Sequence, residues 1–78
     1  MWYVYFLKCV DKKTYIGCTS NLKDRINRHK LGNIPATKNR LPIDLLSYFA
    51  FTNKYKAFNF EKYLKSGSGR AFLKKRLI

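Results

Sequence analysis

The chain has 78 residues, of which 17 are Lys or Arg and four are acidic, and its formal net charge is +13 at pH 7. This length allows one small domain, predicted to span residues 1–78, and a hydrophobic fraction of 46% with 17% aromatic residues excludes a disordered basic tail. The charge favours a polyanionic partner, and because no segment is apolar for long enough to span a bilayer, the candidates are nucleic acid and an anionic membrane surface.

The chain begins with two predicted strands. Trp2 to Cys9 is dense in β-forming residues, residues 10–13 supply a polar turn, and Thr14 to Cys18 resumes β character. The apolar start has no basic region before it and no small-residue cleavage site after it, so it is predicted to be a strand and not a signal peptide. These segments together predict a β-hairpin.

The register of this hairpin decides whether two tyrosines meet. With a three-residue loop at 10–12, Leu7 lies opposite Tyr15 and Tyr5 lies opposite Gly17. Tyr5 and Tyr15 then become diagonal neighbours on one face of the sheet. An even loop length would separate them, so the functional interpretation requires an odd one.

The two cysteines are predicted to be unpaired. The same odd loop places Cys9 and Cys18 on opposite faces of the sheet, which argues against a bridge between them. Two cysteines are too few for a disulfide framework, and no further Cys or His pair completes a zinc site. A reduced, cytoplasmic setting is therefore expected.

The best-defined helix is predicted between Asn21 and Leu31. Asn21 is a favourable N-cap, Asp24 suits the first turn and Lys30 the last, and Gly32 is the stop. One face of this helix mixes apolar and polar residues, which is unusual for a purely structural helix. The residues of this face are Leu22, Arg25, Ile26 and His29.

The second half of the chain is predicted to contain a loop, a strand and two helices. Residues 33–42, with two prolines, predict a basic loop, and Ile43 to Thr52 predicts a third strand. The next helix runs from Asn53 to Ser66 and carries Glu61 as the single charged residue on an apolar face. The stretch 67–69 then ends this helix.

A short basic helix is predicted at the end of the chain. It runs from Arg70 to Leu77, and Ser68 or Gly69 is expected to cap it. Its apolar anchors are Phe72, Leu73 and Leu77.

Glu61 is the only glutamate of the chain. It either pairs with Lys65 one turn later, a contact worth roughly a few tenths of a kcal/mol, or it has a function, because an unpaired carboxylate beside Phe60 and Leu64 would be costly. One carboxylate completed by water and phosphate oxygens is a minimal site that Mg²⁺ accepts.

Four further side chains have both a structural and a functional interpretation. Tyr5 and Tyr15 are core residues with satisfied hydroxyls or, given roughly 4 kcal/mol of phenolate stabilisation, bases at neutral pH. Arg25 is a surface cation or a clamp for a phosphate. His29 complements the helix C-terminus, or it passes protons, orients a tyrosine or binds phosphate.

The other basic residues predict a salt-sensitive surface for DNA or RNA. An anionic-lipid surface would instead require an exposed apolar face on a basic helix, for which the terminal helix is the only candidate. The residues assigned to the nucleic-acid surface are Lys23, Arg28, Lys30, Lys38, Arg40, Arg70, Lys74, Lys75 and Arg76.

The pattern as a whole resembles the GIY-YIG nuclease superfamily. It comprises Tyr3-Val4-Tyr5, then Tyr15-Ile16-Gly17, then Asn21 to Arg25 with His29, and a helix bearing Glu61. Within the superfamily, the chain is most similar to the short stand-alone bacterial proteins related to the N-terminal nuclease domain of the excision-repair protein UvrC. The likeness covers nearly the whole chain.

The resemblance implies an α+β fold, a small three-stranded antiparallel sheet flanked by helices, and a metal-dependent phosphodiesterase. Tyr5 and Tyr15 match the motif tyrosines, one of which would activate the attacking water, and Arg25 matches the phosphate-stabilising arginine. His29 stands where relatives have histidine or tyrosine. Glu61 matches the ligand of one divalent metal, Mg²⁺ or Mn²⁺.

Two positions depart from the family pattern. Tyr3 replaces the glycine that opens the first motif. Cys18 replaces the lysine that the repair nucleases tend to carry, which removes a cation that would lower a tyrosine pKa. An asparagine found late in some relatives has no assignable counterpart.

The leading hypothesis is a metal-dependent endonuclease acting in DNA repair or processing, with DNA as the expected substrate and RNA as an open alternative. The competing hypothesis is a nucleic-acid-binding module that keeps the scaffold without efficient cleavage. Both predict salt-dependent binding, but only the first predicts metal-dependent nicking that requires Glu61. So small a domain leaves little room for base-specific recognition, so structure-specific substrates or a targeting partner protein are expected.

Overall fold

The computed structural model describes residues 1–76, in which a three-stranded antiparallel sheet carries three helices. The elements are β1 (Trp2–Lys8), β2 (Thr14–Thr19), α1 (Leu22–Lys30), β3 (Asp44–Phe51), α2 (Lys54–Leu64) and α3 (Gly67–Arg76). The strand order is β2-β1-β3, so the N-terminal strand lies at the centre. This is the α+β arrangement that the resemblance to the GIY-YIG superfamily implied. None of the described helices has the length and apolar character needed to cross a membrane.

The hairpin of β1 and β2 has the predicted register. Leu7 lies opposite Tyr15, and Tyr5 lies opposite Gly17. The odd length of the hairpin loop is therefore confirmed, and Tyr5 and Tyr15 lie on the same face of the sheet.

The hairpin loop is closed by two backbone hydrogen bonds. The N–H of Cys9 donates to the carbonyl of Lys13 at 3.0 Å, and the N–H of Lys12 donates to the carbonyl of Cys9 at 2.9 Å. Lys12 has a φ of 66°, in the left-handed region that three-residue hairpin loops use at this position. A non-glycine residue pays a steric penalty there.

Each face of the sheet has its own core because the side chains of β1 alternate in direction. The core under α2 and α3 consists of Val4, Phe6, Ile16, Ala57, Leu64 and Leu73. The core under α1 consists of Tyr5, Leu7, Cys9, Ile26 and Ile43. Cys18 packs against the first of these cores and Cys9 belongs to the second, so the two unpaired thiols lie on opposite faces, as predicted.

The boundaries of α1 agree with the prediction. The side-chain oxygen of Asn21 accepts the N–H of Asp24 at 3.1 Å, which satisfies one of the unpaired donors at the helix start. Gly32 takes a φ of +78° just after the helix, a conformation that glycine adopts without steric cost.

The loop between α1 and β3 is held by hydrogen bonds of its own. The N–H of Thr37 donates to the carbonyl of Ile34 at 3.1 Å, and the carbonyl of Thr37 accepts the N–H of Arg40 at 2.9 Å. Arg40 then ties the loop to the hairpin. Its carbonyl accepts the N–H of Val10 at 3.0 Å, and its guanidinium donates to the carboxylate of Asp11 at 2.9 Å.

The start of α3 differs from the prediction. The helix begins at Gly67 and not at Arg70. The capping group is the hydroxyl of Ser66, which accepts the N–H of Gly69 at 3.2 Å, so the prediction of Ser68 or Gly69 as the cap was wrong. The preceding helix ends at Leu64 with Lys65 as its C-cap, and Ser66 therefore serves the next helix instead of extending α2.

Gly69 explains why glycine occurs inside α3. A Cβ at this position would overlap the backbone of Tyr63 and Leu64, so the missing side chain allows α2 and α3 to touch. Of the predicted anchors, Leu73 is 3% exposed and belongs to the core, whereas Phe72 is 36% exposed. The third, Leu77, lies outside the described residues.

Candidate active site

Two tyrosines of the hairpin share the sheet face that α1 covers. The ring centroids of Tyr5 and Tyr15 are 6.4 Å apart. Gly17 faces Tyr5 across the strand pair, and a Cβ at Gly17 would overlap the Tyr5 ring at its hydroxyl end. The motif glycine is therefore required by the volume of the phenol. Tyr5 is fully buried, whereas Tyr15 is partly exposed.

The helix α1 places His29 against both of these rings. Its Nε2 atom lies 2.9 Å from the Tyr5 hydroxyl. The imidazole centroid is 5.6 Å from that of Tyr5 and 5.2 Å from that of Tyr15, and both contacts are edge-to-face. His29 is fully buried, because it lies on the same helical face as the core residue Ile26. The mixed face predicted for α1 thus packs against the sheet.

A residue that the sequence did not single out completes this group. Thr37, from the loop after α1, is fully buried, and its Oγ1 atom lies 2.7 Å from Nδ1 of His29. The loop has no periodicity and threonine is unremarkable in loops, so the sequence carried no signal for this contact. Both ring nitrogens of His29 have a hydroxyl partner, which fixes the orientation of the ring.

The environment of His29 keeps it neutral. Its pKa is lowered from the ordinary value, mainly because burial disfavours the imidazolium and also because the charge of Arg25 is near. A neutral imidazole has one N–H and one acceptor nitrogen, so its two hydroxyl partners take opposite roles. The phenol is the more acidic hydroxyl, so we assign Tyr5 as the donor to Nε2, with Nδ1–H donating to Thr37.

Tyr5 retains its proton at neutral pH. The pKa of Tyr5 is raised to about 12, mainly by burial and also by Tyr15 and Glu61, while Arg25 opposes the increase. Tyr5 can therefore donate a hydrogen bond and hold His29 in place, but it is a poor base. Tyr15 is the motif tyrosine with access to solvent.

Arg25 and Glu61 bring opposite charges to the same region from the two faces of the sheet. Arg25 lies on α1 and Glu61 on α2, and both are partly buried. Both charges act on the Tyr5 phenol and on the Cys18 thiol, whose pKa is raised first by burial and then by Glu61. Of the five residues predicted to act together, Tyr5, Tyr15 and His29 pack against one another, and Arg25 and Glu61 are near enough for their charges to act on Tyr5.

Glu61 also forms the ion pair that the structural interpretation predicted. Its Oε2 atom accepts a hydrogen bond from Nζ of Lys65 at 3.1 Å. The Lys65 side chain is 52% exposed, so the pair is screened by water and readily exchanged. The two interpretations of Glu61 are thus compatible.

The donor set restricts which metal could bind. Within residues 1–76, no three His, Cys, Asp or Glu side chains cluster in a way that could hold a metal ion. Glu61 would be joined by water and phosphate oxygens and not by further protein ligands. Such a set fits a hard cation that keeps most of its hydration shell, as Mg²⁺ does, and does not fit a structural zinc site.

The predicted nucleic-acid contacts are spread over both faces of the sheet. Arg40 is partly buried and paired with Asp11, so its charge already has a partner. The exposed residues of this set are Lys23, Arg28 and Lys30 on α1, Lys38 in the following loop, and Arg70, Lys74, Lys75 and Arg76 on α3. Because α1 and α3 cover opposite faces, exposed basic residues occur on both sides of the sheet.

A hollow of about 950 Å³ lies between α1 and β3, on the same face as the tyrosine pair. Tyr3 and Tyr48 meet in it edge to face, with their centroids 5.9 Å apart, and Tyr48 is 50% exposed. Asn27 and Lys30 of α1 line its opposite wall. None of the five predicted catalytic residues lines the hollow, but Lys23 and Lys30, two of the residues predicted to bind nucleic acid, do.

The same motifs and fold occur in known proteins. The family described as the GIY-YIG catalytic domain matches residues 1–76. A UPF0213 protein of Streptococcus pyogenes serotype M3 is 40% identical over 70 residues, which are 88% of this chain and 76% of that protein. A UPF0213 protein of Clostridium perfringens strain 13 is 42% identical over 66 residues, 83% of this chain and 71% of the relative. The solution NMR structure of a UPF0213 protein from Bacillus halodurans has a TM-score of 0.61 and 33% identity, and covers 96% of this chain and 84% of that one.

Proposed function

This chain belongs to the GIY-YIG catalytic domain family, together with the bacterial UPF0213 proteins, and on that premise we propose that it is a metal-dependent endonuclease that hydrolyses phosphodiester bonds in DNA. One observation carries the proposal. The rings of Tyr5, Tyr15 and His29 pack together on one face of the sheet, and the charges of Arg25 and Glu61 act on the Tyr5 phenol. Such a group can position a phosphate and activate water.

In this proposal Tyr15 activates the attacking water. Tyr5 is buried in the core and its pKa is raised to about 12. Because it keeps its proton at neutral pH, it is the weaker candidate for the base that activates water. Tyr15 is partly exposed and packs edge-on against His29. His29, held by Tyr5 and Thr37, orients Tyr15 and shields it on one side.

Arg25 and Glu61 have complementary roles in the proposal. Arg25 binds the scissile phosphate and stabilises the negative charge that develops on it, for which a planar guanidinium is well suited. Glu61 would hold Mg²⁺ or Mn²⁺ after exchanging its exposed partner Lys65. When bound, the metal would supply positive charge to the phosphate and the leaving oxygen.

The net charge of the chain supports a nucleic-acid partner, and its unpaired cysteines support a reducing compartment. A net charge of +13 supports DNA as the partner. RNA has the same phosphate backbone and is the alternative substrate to be compared with DNA. The whole chain acts as one nuclease domain, working in repair or processing of DNA in the bacterial cytoplasm, where unpaired thiols such as those of Cys9 and Cys18 persist. A targeting partner would supply the sequence specificity that so small a domain lacks.

The test is an incubation with plasmid, branched and single-stranded substrates in Mg²⁺, Mn²⁺ or chelator. Wild type is compared with Tyr15→Phe, Tyr5→Phe and Glu61→Gln. We expect nicking that chelator abolishes, and a loss of about a hundredfold or more for Tyr15→Phe with DNA binding unchanged, because the proton acceptor is missing. Glu61→Gln should lose nicking in both metals.

Tyr5→Phe separates the two tyrosines. We expect it to lower stability, because Nε2 of His29 loses its partner, while the folded fraction keeps a measurable rate. Equal nicking by wild type, Tyr15→Phe and Glu61→Gln would refute the mechanism. Binding without nicking in either metal would favour the non-catalytic nucleic-acid-binding module.

A further inference from the structure

A second basic site lies on the face of the sheet opposite His29. It is a hollow of about 510 Å³ between the end of the β1–β2 hairpin and α3, which we term the hairpin–α3 cleft. Four cationic side chains line it, Lys8 and Lys12 from the hairpin and Arg70 and Lys74 from α3. The cleft also contains Leu73, which belongs to the core under α2 and α3 and so fixes its position on that face.

The charge of the cleft is not balanced from within. The residues that line it include no carboxylate. The ion pairs formed in the described part of the chain join Asp11 with Arg40 and Glu61 with Lys65, so neither involves a cation of the cleft. Asp44 lies opposite Lys8 in the sheet register without forming such a pair. Like charges gathered in this way repel one another, and an anion in the cleft would relieve the repulsion.

Lys12 provides a second and independent observation. It occupies the left-handed position of the hairpin loop with a φ of 66°, where glycine, asparagine or aspartate is usual. It is exposed, so packing does not require a lysine there. Lys12 therefore combines a strained backbone conformation with a charged side chain that lines the cleft, and this combination points to a binding role for the charge.

We propose that the hairpin–α3 cleft binds the sugar–phosphate backbone of the nucleic acid at a distance from the bond that is cut. This proposal rests on the proposed function for the identity of the partner. The hydroxyl-bearing residue Thr14 lines the same hollow and adds a hydrogen-bonding group for phosphate. Two hairpin lysines that the sequence did not assign thus join two cations of α3 in one site.

The dimensions of the molecule allow one substrate to reach both sites. The principal extents are 28 × 26 × 17 Å, and they limit how far apart the cleft and the tyrosine pair can lie. Roughly eight nucleotide steps cover the longest of these extents at the rise of a nucleic-acid strand, so a strand of about 20 nucleotides is long enough to contact both sites.

A lipid surface fits the cleft less well. Of the two leucines that line the cleft, Leu73 is almost completely buried and Leu46 is 40% exposed, so the cleft presents one exposed apolar side chain and not a continuous apolar face. Membrane-surface helices need such a face to enter the bilayer interface. A recess lined by cations is instead suited to the phosphate groups of a nucleic-acid backbone.

The test compares two double variants with the same change in charge. Lys12→Gln with Lys74→Gln alters the cleft, and Lys56→Gln with Lys62→Gln alters exposed residues of α2 outside it. Affinity for a 20-nucleotide duplex and its single strand is measured in chelator at several salt concentrations. Because no cleavage occurs in chelator, this result stands whether or not the chain proves to be a nuclease.

We expect the cleft variant to bind about tenfold more weakly at low salt and to reduce the slope of log K against log salt by about 0.7 to 0.9 for each lost phosphate contact. The α2 variant should change the slope by much less. Equal losses in the two variants would overturn the proposal, because the effect would then belong to net charge alone. Loss of binding to phosphatidylserine vesicles, with DNA affinity retained, would assign the cleft to a membrane and would equally overturn it.

Two further arms complete the test. Inorganic phosphate at matched ionic strength should not compete with DNA at the cleft, and full competition would mean a site for a small anion and not for a backbone. Lys12→Gly should raise the midpoint of urea unfolding and lower DNA affinity together, because it relieves the backbone strain and removes the charge. A variant that is more stable and binds DNA as tightly as wild type would contradict the role of Lys12.

Discussion

His29 and Thr37 form a buried polar contact whose two members come from a helix and from an irregular loop. Each side chain is fully buried, and each nitrogen of the imidazole is within hydrogen-bonding distance of a hydroxyl. Buried polar groups are stable only when they are paired, so each member constrains the other. The orientation of the ring that packs against Tyr15 therefore depends on a threonine from the loop after α1.

Removing the Thr37 hydroxyl should destabilise the fold. Thr37→Val keeps the shape but leaves Nδ1 of His29 unpaired, which is expected to cost about 1–3 kcal/mol in urea unfolding. Thr37→Ser keeps the hydroxyl and loses one methyl group, so its loss should be smaller, about 1 kcal/mol. The ¹⁵N chemical shifts of the His29 ring should match wild type in Thr37→Ser and differ in Thr37→Val. The opposite order of stabilities would show that the methyl group, and not the hydrogen bond, matters.

The stability of the chain should depend on pH through its single histidine. The pKa of His29 is lowered by folding, first by burial and then by Arg25, so below about pH 6.5 the unfolded state binds the proton more readily. Stability is therefore present above this pH and is lost as the pH falls, by at most about 1.4 kcal/mol per pH unit for one proton. Urea midpoints between pH 7.5 and pH 5 measure the effect. His29→Gln should flatten the dependence, and an unchanged slope in that variant would assign it to another group.

Among the elements, α2 and α3 are joined by a contact that leaves no room for a side chain. Ser66 caps α3 directly after the C-cap of α2, so only Lys65 and Ser66 separate the two helices. Gly69 then lies against the backbone of Tyr63, which fixes the angle between the two helices. This junction places Arg70 and Lys74 beside the hairpin.

The two glycines of α3 should respond differently to the same substitution. Gly69→Ala forces a Cβ into the backbone of α2, so it should lower the free energy of unfolding by about 1–3 kcal/mol or more. Gly67→Ala meets no atom within 4 Å, so it should be neutral or stabilise by up to about 1 kcal/mol through the unfolded state. Thermal or urea unfolding of the two variants provides the comparison. Similar losses at both positions would mean that the helices do not approach each other this closely.

The molecule as a whole carries far more positive than negative charge. Seventeen basic residues face four acids, and the two ion pairs among residues 1–76 join exposed or partly exposed groups. Repulsion therefore outweighs attraction in the folded chain, and the same field attracts polyanions. We therefore expect the stability of the chain and its proposed affinity for DNA both to depend on ionic strength.

Added salt should change these two properties in opposite directions. Raising NaCl from 50 to 500 mM screens the repulsion and should increase the melting temperature, and a gain of 1 kcal/mol corresponds to roughly 4–8 °C for a domain of this size. The same change should weaken DNA binding steeply, because released counterions no longer drive association. Calorimetry without DNA and fluorescence anisotropy with DNA measure the two effects. A melting temperature that falls with NaCl would show that attractive pairs dominate.

Much of the fold could be predicted because its rules act over short stretches of chain. The parity of a three-residue loop set the pairing of Tyr5 with Gly17, the caps at Asn21 and Gly32 set the ends of α1, and the helical period put His29 on its inner face. Each depends on local geometry with a fixed repeat, which a sequence displays directly. The motif residues could likewise be identified from their residue types and their spacing.

The sequence by itself determined the strands, α1 and the excess of positive charge, and it showed that the two tyrosines share a face if the hairpin loop has an odd length. Only the tertiary structure decided that Thr37 holds His29, that Ser66 and Gly69 bring α3 against α2, and that Lys8 and Lys12 face Arg70 and Lys74 across a cleft. These contacts join residues from different elements, and their existence depends on distances set by packing the whole chain. No periodicity or local propensity encodes such distances, so they became visible only once the sheet and helices were assembled.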